Sequence, residues 1–314
     1  MRSLAFISLL LLLVSFGEAA AQPARTLLDA GAAGRVEARP RQAGGETLRL
    51  THQGRSRWQA RAQRFEPFRD GAPVPAGEGV ELLGITGWTG GAYCCWTLHL
   101  FHRSGGTLSH VASLPLGKRE PDDIRLGAIG GPPIQLADAA FDFWEAPISR
   151  ATDLHPTVPL RWTGRALVPD VVAMRRPVSA ALGTACIDMA TPDHRPPPEQ
   201  RVRTYPALDA AIVALRSADW SSREGTHPGV EAARLATCLI YAGHAGDAQR
   251  LLRAAWPEGV PGLAETERQI AARLACSPFV AAVREANVQR APFLGARCVP
   301  NGRDQTAVFA LDWR

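Results

Sequence analysis

The sequence predicts an α+β fold, in which an N-terminal antiparallel β-meander domain precedes a small helical domain stapled by disulfides. Three observations support this prediction. Apolar and polar residues alternate with a period of two in the first half of the chain, and apolar residues recur at helical spacing in the second half. The chain also contains six cysteines, which are candidate staples.

The β half contains one clear hairpin signal. Candidate strands 92–102 and 107–116 flank Ser104-Gly105-Gly106, and glycine readily adopts the positive φ angles of tight turns. The other candidate strands share the same alternation, and they comprise residues 47–52, 58–68, 80–88, 134–144, 158–162 and 166–174. Because no helical period separates these segments, they predict an antiparallel meander.

Five segments of the second half carry an apolar stripe at helical spacing. They comprise residues 206–215, 230–241, 248–256, 263–274 and 279–286. The second and third resemble one tetratricopeptide helical hairpin, in which the small Ala236 and Ala248 allow close approach. Because the hairpin is not repeated at the expected offset, the sequence predicts a single hairpin and no solenoid. A weaker helical pattern covers residues 178–189.

These patterns divide the chain into four parts. Residues 1–21 form a signal peptide, residues 22–176 the antiparallel β domain, and residues 205–314 the helical domain with a C-terminal tail. Residues 177–204 form a linker with a proline-rich segment. Its three consecutive prolines exclude both helix and sheet ladder, so we expect an extended conformation there.

The N-terminus has the features of a cleavable secretory leader. Arg2 precedes an apolar stretch at residues 4–16, and small residues at 19–21 form an A-x-A cleavage signal before Gln22. Because a membrane span needs about 20 apolar residues, the stretch is too short for a permanent anchor. We therefore expect a periplasmic or secreted mature protein with no stable membrane anchor after cleavage.

The formal net charge of +5 rests almost entirely on arginine, since Lys118 is the only lysine. A basic surface can meet anionic lipid, cell-wall polymer or nucleic acid. The arginines form no run of five or more residues, however. This scatter favours an ordinary solvated surface, and we expect no nucleic-acid partner.

All six cysteines are disulfide candidates, because an exported chain matures in an oxidising compartment. Cys94 and Cys95 are adjacent, so a bond between them requires a distorted backbone; separate bridges to other cysteines are the alternative. The remaining four lie beyond the β half and are Cys186, Cys238, Cys276 and Cys298. Their spacing fits no zinc-finger pattern, which favours disulfides over a zinc site.

The most distinctive motif is Gly-Gly-Ala-Tyr-Cys-Cys-Trp at residues 90–96. It resembles the G-G-x-x-C-C-aromatic motif of uncharacterised exported bacterial proteins, where it lies in a β module similar to FG-GAP or VCBS repeats and precedes a helical domain. The resemblance spans residues 80–175, including segments 138–144 and 159–162, and implies no activity. Such repeats often hold calcium, but residues 121–127 offer too few alternating carboxylates to do so.

The sequence predicts no catalytic, cofactor-binding or metal-binding residue, because the common nucleophile, zinc-protease and phosphate-loop motifs are missing. His99 and His102 are three residues apart on one candidate strand, which places them on opposite faces. His110 lies across the hairpin and can approach one of them. Surface histidines are the favoured interpretation, and a metal pair is the alternative.

Four aromatic residues of the β half are candidate ligand-facing side chains: Trp88, Tyr93, Trp96 and Trp144. Exposed on a sheet, such rings stack on sugars or anchor a partner; packing in the core is the alternative. We therefore expect a non-catalytic envelope or extracellular binding or scaffold protein, whose partner is an envelope protein or a glycan. The alternative is a hydrolase acting on cell-wall or extracellular polymer.

Overall fold

The computed structural model describes residues 23–77, 79–91, 95–121, 134–142, 144, 154, 156–183, 203–221, 227–288 and 292–298. Antiparallel sheets form the N-terminal part and helices the C-terminal part, which confirms the α+β class. Several predictions concern residues outside these ranges, namely the signal peptide, Tyr93, Cys94, Cys186, the proline-rich segment and the C-terminal tail.

The first sheet has four antiparallel strands in sequential order: β1 (Arg25–Asp29), β2 (Arg35–Pro40), β3 (Glu46–His52) and β4 (Arg55–Ala62). The alternation of apolar and polar residues along each strand determines which face of this sheet is buried. The apolar residues of β2 and β3 point inward, and Val36, Ala38, Leu48 and Leu50 are almost completely buried. Their neighbours along each strand therefore point outward.

The second sheet contains β5 (Arg64–Pro67), β7 (Val80–Trp88), β8 (Trp96–Ser104) and β9 (Thr107–Gly117), and β6 (Val74–Gly77) also pairs with β7. The predicted hairpin is confirmed as β8 and β9. Its two-residue turn is Gly105-Gly106, and both glycines have positive φ angles, 56° and 76°.

The third sheet consists of β10 (Ile134–Ala137), β11 (Thr157–Trp162) and β12 (Leu167–Pro169). The strand predicted for residues 134–144 was wrong beyond Ala137, because the Asp138 side chain accepts a hydrogen bond from the Ala140 backbone N–H and caps a 3-10 turn at Ala139–Phe141. Likewise, Asp170 caps the short helix α1 (Val171–Met174) and ends the strand predicted for residues 166–174.

The described residues of the helical part contain six further α-helices. They are α2 (Val178–Ala181), α3 (Leu208–Arg216), α4 (Pro228–Tyr241), α5 (Ala245–Ala255), α6 (Leu263–Cys276) and α7 (Val280–Ala286). The predicted hairpin is confirmed as α4 and α5, which pack together across Gly243 at φ 89°. In the described ranges, every helix is too short or too polar to cross a membrane.

The second sheet is buried on both faces. Phe101 of β8 packs with the first sheet in one apolar core, whereas Leu98 and Leu100 of the same strand belong to a second core. This second core continues through the third sheet into the helices. The described β and helical parts therefore share a continuous apolar core.

A buried polar cluster lies at the junction of the β and helical parts. Tyr241 of α4 and Ser277, which follows α6, both donate hydrogen bonds to the same carboxylate oxygen of Asp138. Asp138 and Ser277 are 139 residues apart in sequence, so the cluster links distant segments. Burial raises the pKa of Asp138, and hydrogen bonds from Ser277, Tyr241 and the Ala140 backbone oppose the rise.

Candidate functional site

The outer face of the first sheet is rich in arginine. Because Val36 and Leu48 face the core, the outward positions fall on alternate residues of each strand. Those of β2, β3 and β4 are Arg35, Glu37, Arg39, Thr47, Arg49, Thr51, Arg57, Gln59 and Arg61. These five arginines and one glutamate give the face, here named the arginine face, a net charge of +4.

The strand register brings the arginines of the arginine face together. Arg39 on β2 and Arg61 on β4 both align with Thr47 of the central strand, which places their backbones about 10 Å apart. Arg49 lies in the next outward row of β3. The face therefore gathers charges that are up to 26 residues apart in sequence.

One carboxylate balances two of these arginines. Glu37 contacts Arg39 at 2.8 Å and Arg35 at 3.7 Å. Within the described ranges, Arg57 and Arg61 form no ion pair, and the buried Nε of Arg49 has no hydrogen-bond partner. The face therefore keeps cationic groups that are available to an anionic ligand.

A shallow groove of about 530 Å³ adjoins the arginine face. Arg35, Glu37 and Arg39 contribute to its lining, together with Gly31 and Gly54. A Cβ atom added to either glycine would meet no atom within 4 Å, so the missing side chains leave open space. The lining of the groove thus combines backbone that carries no side chain with two guanidinium groups.

The arginine face has no signal in the sequence that consists of consecutive basic residues. In a strand, residues on one face are two apart, so the relevant signal is an arginine at every second or fourth position. Residues 35 and 39 show this spacing, as do 57 and 61. Arg35, Arg39, Arg57 and Arg61 are exposed, as a solvated surface requires, but their concentration on one face of this sheet was not predicted.

The candidate aromatic residues fall into different environments. Trp88 and Trp96 are directly opposed on β7 and β8, half-buried, with ring centroids 6.2 Å apart. The Arg64 guanidinium lies 5.5 Å from the Trp88 ring. Trp144 is completely buried in the core, so the ligand-facing interpretation was wrong for it. Tyr93 lies outside the described residues.

Two histidines share one serine between the first and second sheets. The Ser113 hydroxyl lies 2.8 Å from Nδ1 of His99 and 2.9 Å from Nε2 of His110. The rings of His110 and Trp58 stack at 4.1 Å. A bulge in the pairing of β8 with β9 lies next to Val111 and brings His110 and Ser113, three apart in sequence, onto the same face.

Both imidazoles of this serine–histidine cluster favour the neutral form. Burial, and then the neighbouring charge of His110, lowers the pKa of His99 to about 3. Burial lowers the pKa of His110 to about 4, although a backbone hydrogen bond at Ala112 opposes the change. The surface interpretation was wrong for His99, which is 6% exposed. His102 contacts Trp162 instead, which confirms the predicted opposite faces.

The cluster does not assemble a metal site. One serine hydroxyl can donate to one neutral imidazole and accept from the other, which satisfies all three groups. Across the described ranges, no three histidine, cysteine, aspartate or glutamate side chains are arranged to hold a metal ion.

The described cysteines are all in disulfides. Cys276 at the end of α6 bonds to Cys298, with 4.7 Å between their Cα atoms. Cys95 and Cys238 are also disulfide-bonded. These bonds confirm the disulfide prediction over a zinc site for the described cysteines. Because Cys94 and Cys186 lie outside the described residues, the proposed bond between adjacent cysteines stays a prediction.

The resemblance of residues 80–175 to exported bacterial β modules also stays a hypothesis. No protein-family model matches the chain, and comparisons with curated proteins and with solved structures give no match either.

Proposed function

We propose that this protein is an exported, non-catalytic binding or scaffold protein, and that its arginine face binds an anionic glycan of the cell envelope. The observation that carries the proposal is the concentration of charge, since a face with a net charge of +4 accounts for most of the chain's +5. Arginine suits this role because its planar guanidinium binds carboxylate and phosphate through paired hydrogen bonds.

Export is part of the same proposal. The leader-like N-terminus and the cysteine content favour a periplasmic or secreted protein. The Cys276–Cys298 bond fits an oxidising compartment. Mass spectrometry of the mature protein is expected to give a chain that begins at Gln22 and has no free thiol. A full-length chain with reactive cysteines would contradict export.

Binding is favoured over the hydrolase alternative by the surroundings of the described titratable groups. Asp138 is fully buried, and its carboxylate is occupied by Tyr241 and Ser277. His99 and His110 share Ser113 between two sheets. The groove beside the arginine face, in contrast, opens to solvent and presents cations. Its chemistry suits capture of an anion.

The proposal is tested with Arg57 and Arg61, which are exposed and outside the ion pairs of the face. Replacing both with glutamine removes two charges while leaving the packed inner face intact. We expect co-sedimentation with anionic envelope glycan to weaken at least about tenfold, and binding of the parent protein to weaken with added salt. The control is Arg165→Gln, an exposed arginine in the turn before β12. Equal binding by all three proteins would refute the proposal.

A further inference from the structure

We propose, on the basis of the function above, that the groove beside β2 holds one strand of an acidic polysaccharide, with Arg35 and Arg39 as its carboxylate-binding residues. The spacing of these arginines, the glycine positions of the groove and the polar residues of its lining support this assignment.

The spacing of the two arginines requires an extended ligand. Arg35 and Arg39 are four residues apart on one strand, which separates their backbones by about 13 Å. Glu37 lies between them on the same face and pairs with both guanidinium groups. A ligand that engages both arginines must therefore carry at least two anionic groups and reach past a carboxylate.

The glycines of the groove leave room for a polysaccharide strand. Gly31 and Gly54 have positive φ angles of 62° and 76° and line the groove with backbone. Gly34, also in the lining, is held more tightly, because a Cβ there would lie 2.8 Å from the carbonyl oxygen of Thr51. The chain geometry of these turns thus requires glycine or asparagine and leaves the groove open.

Neutral polar groups complete the match to a sugar chain. The side chains of Thr51 and Gln53 lie in the same lining as the arginines. A hydroxyl and an amide donate and accept hydrogen bonds, as sugar hydroxyls do. Thr51, which is paired with Arg35 in the strand register, and Gln53 therefore offer hydrogen-bonding groups to sugar hydroxyls beside Arg35.

Other polyanions fit the face less well. Binding of single-stranded nucleic acid depends on aromatic side chains that stack on bases, and the outward residues of β2, β3 and β4 include none. Protein interfaces have an apolar centre, which this face also lacks. Among the described residues, the exposed large apolar side chains are Val172, Val213 and Val288, and none of them belongs to the first sheet, so the face has none to insert into a lipid surface.

The experiment measures binding of purified mature protein to oligogalacturonides of increasing length. Galacturonate monomer, vesicles of phosphatidylglycerol and single-stranded DNA serve as comparison probes. Three variants distinguish binding by the arginines from binding in the groove. They are Arg35→Gln with Arg39→Gln, Gly31→Asn with Gly54→Asn, and Arg165→Gln as the control. Asparagine tolerates positive φ and fills the groove without changing charge. Thermal unfolding checks that each variant is folded.

We expect affinity to rise with oligomer length and to exceed that for the monomer, vesicles and DNA. The arginine and glycine variants should each weaken oligomer binding at least about tenfold, and the control should not. If the arginine variant weakens binding but the glycine variant does not, the groove inference is overturned while the proposed function stands. If neither variant weakens binding, the groove inference fails, and the variant Arg57→Gln with Arg61→Gln then decides separately whether the arginine face binds the oligomer. Tighter binding to vesicles or DNA overturns the polysaccharide assignment.

Discussion

Tyr241→Phe tests the buried cluster that links the β and helical parts. Phenylalanine keeps the ring, which packs edge-on against Phe141 at 5.8 Å, and removes only the hydroxyl that donates to Asp138. A buried hydrogen bond of this kind contributes about 1 to 3 kcal/mol, since its loss leaves a desolvated acceptor. Ser277 still donates to the same oxygen, so we expect a loss near the lower end of that range.

The loss is measured by urea unfolding monitored through tryptophan fluorescence. Ser277→Ala and the variant with both substitutions complete a double-mutant cycle. Because both hydroxyls share one carboxylate oxygen, we expect the double variant to lose more than the sum of the single losses. Asp138→Ala leaves both hydroxyls without their acceptor, and its expected cost is about 3 to 5 kcal/mol. Additive losses within about 0.3 kcal/mol would refute the shared-acceptor reasoning.

The same cluster predicts a pH dependence with a definite sign. Because burial raises the pKa of Asp138 in the folded state, its contribution to stability is full below the unfolded pKa and declines as pH rises through the folded pKa. Asp138→Asn removes this titration. The free-energy gap between parent and variant should therefore be widest in acid and narrow as pH increases. A gap that widens with pH would contradict the proposed environment of Asp138.

Three further predictions concern other parts of the molecule. The pKa values of His99 and His110 in the folded state are lowered to about 3 and about 4, so the free energy of unfolding should fall as the pH drops from 6.5 toward 4. Each histidine should contribute a decrease of about 1.4 kcal/mol for each pH unit. In urea titrations, His110→Gln should make this dependence on pH less steep. Gly117→Ala should lower the free energy of unfolding by about 2 kcal/mol or more in thermal unfolding, since φ at this position is 65° and the new Cβ would clash with the carboxylate of Asp142. Replacing both Cys276 and Cys298 with serine should lower the free energy of unfolding by about 3 kcal/mol, because the disulfide closes a loop of 22 residues. An unchanged melting temperature would show that this disulfide does not stabilise the fold.

Alternation in the sequence was sufficient to predict the long strands and the hairpin. The segment 80–88 coincides with β7, and the turn at Gly105-Gly106 follows from glycine chemistry. β1 and β2 were missed because they are short and β2 contributes only Val36 and Ala38 to the core. β3 also buries two residues, but both are leucines, whereas alanine has a low β propensity and leaves Val36 as the only strong strand signal in β2.

The errors at residues 134–144 and 166–174 have a local cause. In both segments an aspartate side chain accepts a backbone N–H two or three residues later, which starts a helical turn where the apolar pattern still favours a strand. Asp138 also gains partners from α4 and the residue after α6, which no local pattern indicates. Sequence periodicity therefore could not locate the buried cluster.

The histidine cluster shows how a single bulge changes which residues meet. Regular alternation places His110 and Ser113 on opposite faces of β9. The bulge next to Val111 turns both toward the first sheet, on the same side as His99 of β8 and close to Trp58 of β4. Cross-strand proximity of His99 and His110 was predictable from the hairpin, but their shared serine depended on this irregularity.

The two faces of the first sheet divide structural and functional roles. Val36 and Leu50 bind the sheet to the rest of the fold, and no outward side chain is needed for that packing. A concentration of like charge on the outward side destabilises the compact state through self-repulsion. Exposed arginines such as Arg57 and Arg61 therefore contribute little to holding the chain together, and an anionic partner that neutralises them would relieve the repulsion on binding. This is why the proposed function rests on the arginine face and not on the buried clusters.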